Sequence, residues 1–208
     1  MAVSQRVKAS PLEEVNMGTG EEAWPVNIAK EMSLENKMTM ITLLKEFWDV
    51  LAWSYEDMRG LDPQLYQHQI HLSKDAKTVA QRRYRMNPNY AAKVKDEIGK
   101  LLRVGFIRPI KKASWLSSIV VVPKKNGKIR VCVDYRKLNA AMVTDAFALP
   151  FTDGVLDAVA GHKVYSFLDG FSGYNQIRMH PNNQEKTAFV TEWGVFVAVV
   201  MMFGLKTA

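Results

Sequence analysis

Between Ser118 and Asp134 the chain is strongly constrained to turn back on itself. Ser118-Ile-Val-Val-Val122 is apolar and β-branched, and Ile129-Arg-Val-Cys-Val-Asp134 is a second such run. Pro-Lys-Lys-Asn-Gly-Lys separates them, and Asn126-Gly127 tolerates the positive φ that a tight hairpin turn requires. Ile129, Val131 and Val133 alternate with Arg130, Cys132 and Asp134, so one face is apolar and Arg130 projects from the other. The cationic tip suits two uses, a phosphate clamp or a solubilised sheet edge.

Charge marks the same region. Residues 1–80 carry 8 Lys+Arg and 12 Asp+Glu, whereas residues 81–136 carry 15 and 3, a net of +12. The last 72 residues carry 5 and 6. A positive block confined to a quarter of the chain points to a polyanion, most simply a nucleic-acid backbone, with Arg82, Arg83 and Arg85 as its leading contacts. One cysteine, Cys132, excludes an internal disulfide, and Val195–Phe203, the longest apolar run, is too short to span a bilayer. With no apolar core for a secretory signal near Met1, the expectation is an intracellular protein of cytoplasm or nucleus, with no membrane partner.

Residues 1–32 lack periodicity and read as a mobile leader. Residues 33–80 read as a helix and connector: Ser33 can cap a helix from about Leu34 to Trp53, whose stripe of Leu34, Met38, Ile41, Leu44, Trp48 and Leu51 predicts core packing. A better-marked helix begins at Asn87-Pro88 and ends at Gly105, with Ala91, Val94, Ile98 and Leu101 on one face and Lys93, Lys95, Lys100 and Arg103 elsewhere. Thr152-Asp153 can start a short helix that Gly161 ends. Strands are predicted at 163–169, 173–178, 186–191 and 195–202. The fold class is α+β, with antiparallel strands dominating.

Several stretches, in order, resemble one family. Gly105-Phe-Ile-Arg-Pro, Trp115-Leu-Ser-Ser, Pro123-Lys-Lys-Asn-Gly-Lys, Val131-Cys-Val-Asp-Tyr-Arg-Lys-Leu-Asn139, Phe167-Leu-Asp-Gly-Phe-Ser-Gly-Tyr-Asn-Gln-Ile177, Lys186-Thr-Ala-Phe189 and Phe203-Gly-Leu-Lys206 are similar to the reverse transcriptases of gypsy-type long-terminal-repeat retrotransposons. The resemblance runs from roughly residue 43 to 208. It implies that 81–150 are fingers and 151–208 a truncated palm, acting on a template-primer and a deoxynucleoside triphosphate (dNTP) with magnesium as cofactor. Asp169 would be the catalytic metal-binding aspartate and the Gly170 carbonyl the ligand beside it. Tyr174 would lie under the sugar and exclude a ribose 2′-hydroxyl. Arg130 would hold the triphosphate, Lys124 or Lys125 the γ-phosphate, and Phe203 would lie beside the nucleotide. Asp134 and Arg136 are assigned to the fold, as a strand-end pair.

Two departures qualify this. No Asp-Asp pair occurs in the 208 residues, although the family's second metal motif is an aromatic-x-Asp-Asp hairpin, and Met202 stands where the family usually has proline. The expectation is therefore an RNA-directed DNA polymerase fragment of a retrotransposon polyprotein, inactive alone and missing downstream palm, thumb and ribonuclease H segments. The alternative is a non-catalytic nucleic-acid-binding module or relic of such an element.

Overall fold

The structure, a computed structural model, describes residues 10–19, 23–83, 85–124, 129–144, 150–162, 165–166, 168 and 170–206. The chain divides into two compact units, Met1–Asp57 and Met58–Ala208.

The first unit is built on a hairpin inside the stretch that lacks sequence periodicity. β1 (Leu12–Asn16) pairs antiparallel with β2 (Pro25–Ala29), Leu12 opposite Ala29 and Asn16 opposite Pro25. The Asn16 side-chain oxygen accepts from the Gly18 and Trp24 amides, both at 2.9 Å, which supplies locally the turn chemistry that asparagine favours. Trp24 stacks on Trp48 at 5.3 Å and on Trp53 at 5.6 Å, and the Trp53 indole N–H donates to the Pro25 carbonyl. α1 (Leu34–Glu46) begins where Ser33 accepts from the Asn36 amide. It is shorter than its stripe predicts. Phe47 leaves helical geometry, and only a 3₁₀ turn at Trp48–Val50 follows. The stripe is also not core: α1 buries no residue, and Leu34 and Met38 are 75% and 61% exposed. A two-stranded ribbon is too narrow to cover a whole helix face.

In the second unit, α2 (Pro88–Arg103) has both of the ends its sequence specifies. The Asn87 side chain accepts from the Asn89 amide. At the other end Gly105 adopts φ +72°, the Phe106 amide donates to Leu101 and the Gly105 amide to Leu102, which together form a Schellman cap. Val94, Ile98 and Leu101 are buried, while the lysines stay outside.

A five-stranded sheet has the order β3-β7-β6-β4-β5. β3 (Ile107–Ile110) pairs antiparallel with β7 (Gly194–Ala198), β7 with β6 (Phe189–Thr191), and β4 (Ser117–Pro123) with β5 (Ile129–Val133). Only β4 and β6 run parallel, among the described strands. The class is α+β and mostly antiparallel. Ile119 faces Val133 and Val121 faces Val131, the expected hairpin register; the Asn126-Gly127 turn lies outside the described residues. Phe189 and Phe196 are directly opposite, their rings 5.8 Å apart, a cross-strand aromatic pair at the sheet centre.

Four strand expectations change. Of the expected 186–191, only Phe189–Thr191 is strand, since Glu185–Thr187 forms a 3₁₀ turn. Gly173–Gln176 is a 3₁₀ turn, not strand. β7 stops at Ala198 because the chain then changes partner: the Met179 amide donates to Val199 and the Met201 amide to Ile177. Tyr165, Ser166 and Leu168 are not in a strand, and Lys163, Val164, Phe167 and Asp169 lie outside the described residues. Short helices complete the unit: α3 (Arg136–Ala141), α4 (Thr152–Val159) and α5 (Pro181–Gln184).

The interior is tied by polar groups at Lys186 and Thr187. Thr187 is fully buried; its hydroxyl donates to the Gln184 carbonyl at 2.6 Å and accepts from the Ala198 amide at 2.9 Å. Its carbonyl accepts from the Tyr135 hydroxyl at 3.0 Å, and burial keeps that phenol protonated well above the usual tyrosine range. The Lys186 ammonium donates to the Ile70 carbonyl and the Asn183 side chain, which brings the extended connector onto α5. Burial lowers its pKa.

Tyr135→Phe should cost about 1–2 kcal/mol, because it leaves the buried Thr187 carbonyl without its donor in a site where water has little access. Urea unfolding at pH 7 measures this; an unchanged midpoint would mean that the carbonyl finds another donor.

Candidate nucleotide and nucleic-acid site

Residues 79–81 run beside the end of the 107–116 segment. The Leu116 amide donates to Val79 and the Gln81 amide to Leu116, while the Gln81 side chain donates to the Asp134 carbonyl and accepts from the Ser118 hydroxyl. This tie fixes the chain just ahead of the arginines. Arg82, Arg83 and Arg85 are all exposed, as phosphate-contacting side chains need to be. Arg85 borders a groove of about 380 Å³ between the start of α2 and the β4–β5 hairpin, where Tyr90, Val121, Asp134 and Arg136 also contribute.

Arg136 makes two 2.8 Å hydrogen bonds to Asp134, a fork-to-carboxylate pair at the end of β5. The strand-end pairing expected of these two residues is therefore present. Those hydrogen bonds hold the Asp134 carboxyl below the ordinary carboxylate range, against a smaller opposing push from burial.

The second cluster draws on three distant stretches. Arg130 projects from β5, which places its guanidinium carbon 5.9 Å from the centre of the Phe203 ring, within cation–π range. The Phe203 ring lies 6.1 Å from that of Tyr174. Tyr174 is half-buried on the 3₁₀ turn, its hydroxyl 3.4 Å from that of Ser172. Phe171 and Ser172, at φ 32° and 55°, occupy backbone that non-glycine residues seldom adopt. The Asn175 amide donating to the Ser172 carbonyl helps to hold them there. Gly204 needs its own φ of +98°, and it brings the loop against the end of β5, where an added Cβ would sit 3.5 Å from the Val133 carbonyl.

Sequence reasoning linked Arg130, Tyr174 and Phe203, and the structure brings those three together. Lys124 is exposed at the end of β4; Lys125 and Asp169 lie outside the described residues. Gly170 is exposed. Among the described residues no group of three His, Cys, Asp or Glu side chains could hold a metal ion, and no helix is long and apolar enough to cross a membrane. Asn139 and Lys186 were missed as site and framework residues. Each stood inside a recognised motif, but nothing local shows that its partners are residues 204–206 or Ile70.

Residues 122–208 match the family model for reverse transcriptase (RNA-dependent DNA polymerase). Over that stretch the chain is similar to the reverse transcriptase domain. The Tf2-3 and Tf2-7 transposon polyproteins of Schizosaccharomyces pombe (strain 972 / ATCC 24843) are each 30% identical to it over 182 residues, 88% of this chain. The chain spans 13% of the length of either polyprotein. Two solved foamy viral protease-reverse transcriptases share its fold: the complex with RNA/DNA hybrid (TM-score 0.65, 22% identity, 85% of this chain and 23% of that one) and the dRH form with double-stranded DNA (0.64, 22%, 85% and 31%). The reverse transcriptase match begins at Val122 and so takes in Arg130, Tyr174 and Phe203. Arg82, Arg83 and Arg85 precede it.

The Asp134–Arg136 pair gives the folded state a pH signature. A carboxylate whose pKa is depressed on folding contributes stability that is complete above about pH 5 and is lost as pH falls through 4 and below. Parent protein should therefore lose more of its urea midpoint between pH 6 and pH 3 than Asp134→Asn does. Parallel losses in the two proteins would show that the pair adds no folded-state stability.

Proposed function

We propose that this chain is the fingers and part of the palm of a gypsy-type retrotransposon reverse transcriptase, residues 81–150 and 151–208 respectively, which binds a primed template and a dNTP. The observation that carries the reading is the Phe203 ring standing 5.9 Å from the Arg130 guanidinium and 6.1 Å from the Tyr174 ring, inside the reverse transcriptase match. A guanidinium beside two aromatic rings offers bidentate bonding to a triphosphate and a flat surface for a sugar and base. Lys124 or Lys125 would add charge at the γ-phosphate. Arg82, Arg83 and Arg85 would take template phosphates. The foamy viral neighbours, in complex with RNA/DNA hybrid and double-stranded DNA, support a template-primer as partner.

Magnesium belongs to the proposal through Asp169 and the Gly170 carbonyl. When bound, two such ions stabilise the attacking and leaving oxygens of phosphoryl transfer. The 208 residues contain no Asp-Asp pair to complete that set. We therefore propose that these residues by themselves bind substrates and do not polymerise them. A second reading, a nucleic-acid-binding module without catalysis, rests on the net charge of +12 over residues 81–136.

Both readings need phosphate contacts. In a fluorescence-anisotropy titration of primed template, replacing Arg82, Arg83 and Arg85 together with alanine should weaken binding and flatten the slope of log affinity against log salt by up to roughly 3. An unchanged slope would remove these arginines from the interface. The two readings part at the nucleotide. Tyr174→Val should narrow the difference between dTTP and UTP affinity, because a β-branched side chain cannot fill the space of a ring beneath the sugar. Equal discrimination by variant and parent would count against the nucleotide gate and leave the simpler binding module.

A further inference from the structure

We infer that Asn139 is the positioning residue of the nucleotide pocket: its carboxamide fixes the loop that carries Phe203 to Arg130 and Tyr174. This rests on the nucleotide reading of those three residues.

Asn139 sits on α3, far in sequence from the loop it meets. Its amide nitrogen donates to the Gly204 carbonyl at 2.7 Å, and its amide oxygen accepts from the Lys206 amide at 2.9 Å. One planar group thus offers a donor and an acceptor to two backbone groups two residues apart. An ionised aspartate at this position could only accept, and alanine could do neither.

The loop needs such a clamp. Phe203 is 54% exposed, so burial does not hold its ring. Met202 leaves φ free where a proline would have fixed it. Leu205 is buried and anchors the depth of the loop. Gly204 lets the loop approach β5, yet glycine's own freedom resists any single orientation. The two Asn139 hydrogen bonds restrain the backbone on either side of Leu205. Through that backbone they set where the Phe203 ring stands relative to the Arg130 guanidinium.

The test is dTTP binding by the full 208-residue chain, followed by calorimetry, in Asn139→Ala, Phe203→Ala and the double variant. Losing two neutral hydrogen bonds should weaken dTTP roughly tenfold in Asn139→Ala. The double variant should bind no more weakly than the weaker single one, because both changes act through the same ring. Asn139→Asp keeps the side-chain size and guards against a variant that fails to fold. It should bind dTTP as poorly as the alanine variant at pH 7 and regain affinity relative to parent as pH falls toward about 4, through the ordinary carboxyl range, as the neutral acid again offers one donor and one acceptor. A residue that merely packs gives no such pH profile. Full dTTP affinity in Asn139→Ala while Phe203→Ala is weakened, additive losses in the double variant, or an Asn139→Asp variant without the pH response overturns the inference alone. If neither Phe203→Ala nor Tyr174→Val alters dTTP binding, the nucleotide reading falls and this inference falls with it.

Discussion

The second unit depends on one buried residue, Thr187, whose three polar contacts join parts of the chain that share no local interaction. Its hydroxyl closes the turn after α5 and accepts the Ala198 amide, while its carbonyl receives the Tyr135 hydroxyl. A buried, unsatisfied hydroxyl or carbonyl is costly, so each partner is confined to a narrow range of positions. The start of β6 is thereby set beside β7, and Tyr135, just before α3, is tied to the same point. Lys186 next to it does the same for the connector at Ile70. Two adjacent residues of one short motif thus lock the sheet, a helix and an extended segment together.

The site inherits its geometry from that frame. Tyr135, held by Thr187, stands just before α3, and α3 carries Asn139 to the loop after Met202. β5 ends at Val133, whose carbonyl lies close to Gly204. Arg130 is therefore carried by the same short stretch that leads into the Tyr135 anchor. Rigidity at Thr187 and exposure at Arg130 and Phe203 are complementary: the first allows the second to be placed without being buried.

The elements most legible in the sequence are those whose ends are specified by neighbours. α2 is marked by Asn87-Pro88 at one end and Gly105 at the other, and its apolar face is the buried one, because capping and periodicity are local properties. The β4–β5 register follows from β-branched alternation for the same reason. α1 shows the limit: periodicity marks a helix, but whether the stripe is covered depends on what packs on it, and among the described residues none of the helix is fully buried. The stretch 173–178 failed as a strand since Phe171 and Ser172 turn the backbone into positive φ, a conformation that Gly170 and Gly173 surround but do not announce. β1 and β2 were hidden because short strands closed by an asparagine turn leave little periodic signal.

By itself the sequence determined the capped ends and buried face of α2, the β4–β5 register, the concentration of net positive charge in residues 81–136, and the motifs that resemble reverse transcriptases. These are properties of residue types and short spacings, which need no knowledge of partners. Only the tertiary structure decided that Arg130 stands over Phe203, that Phe203 meets Tyr174, and that Asn139 grips the backbone at 204 and 206. Such contacts link residues 29 to 73 positions apart. Their geometry is set by sheet order and by buried hydrogen bonds that must all be satisfied at once, a condition on the whole packed unit that no single stretch of chain encodes.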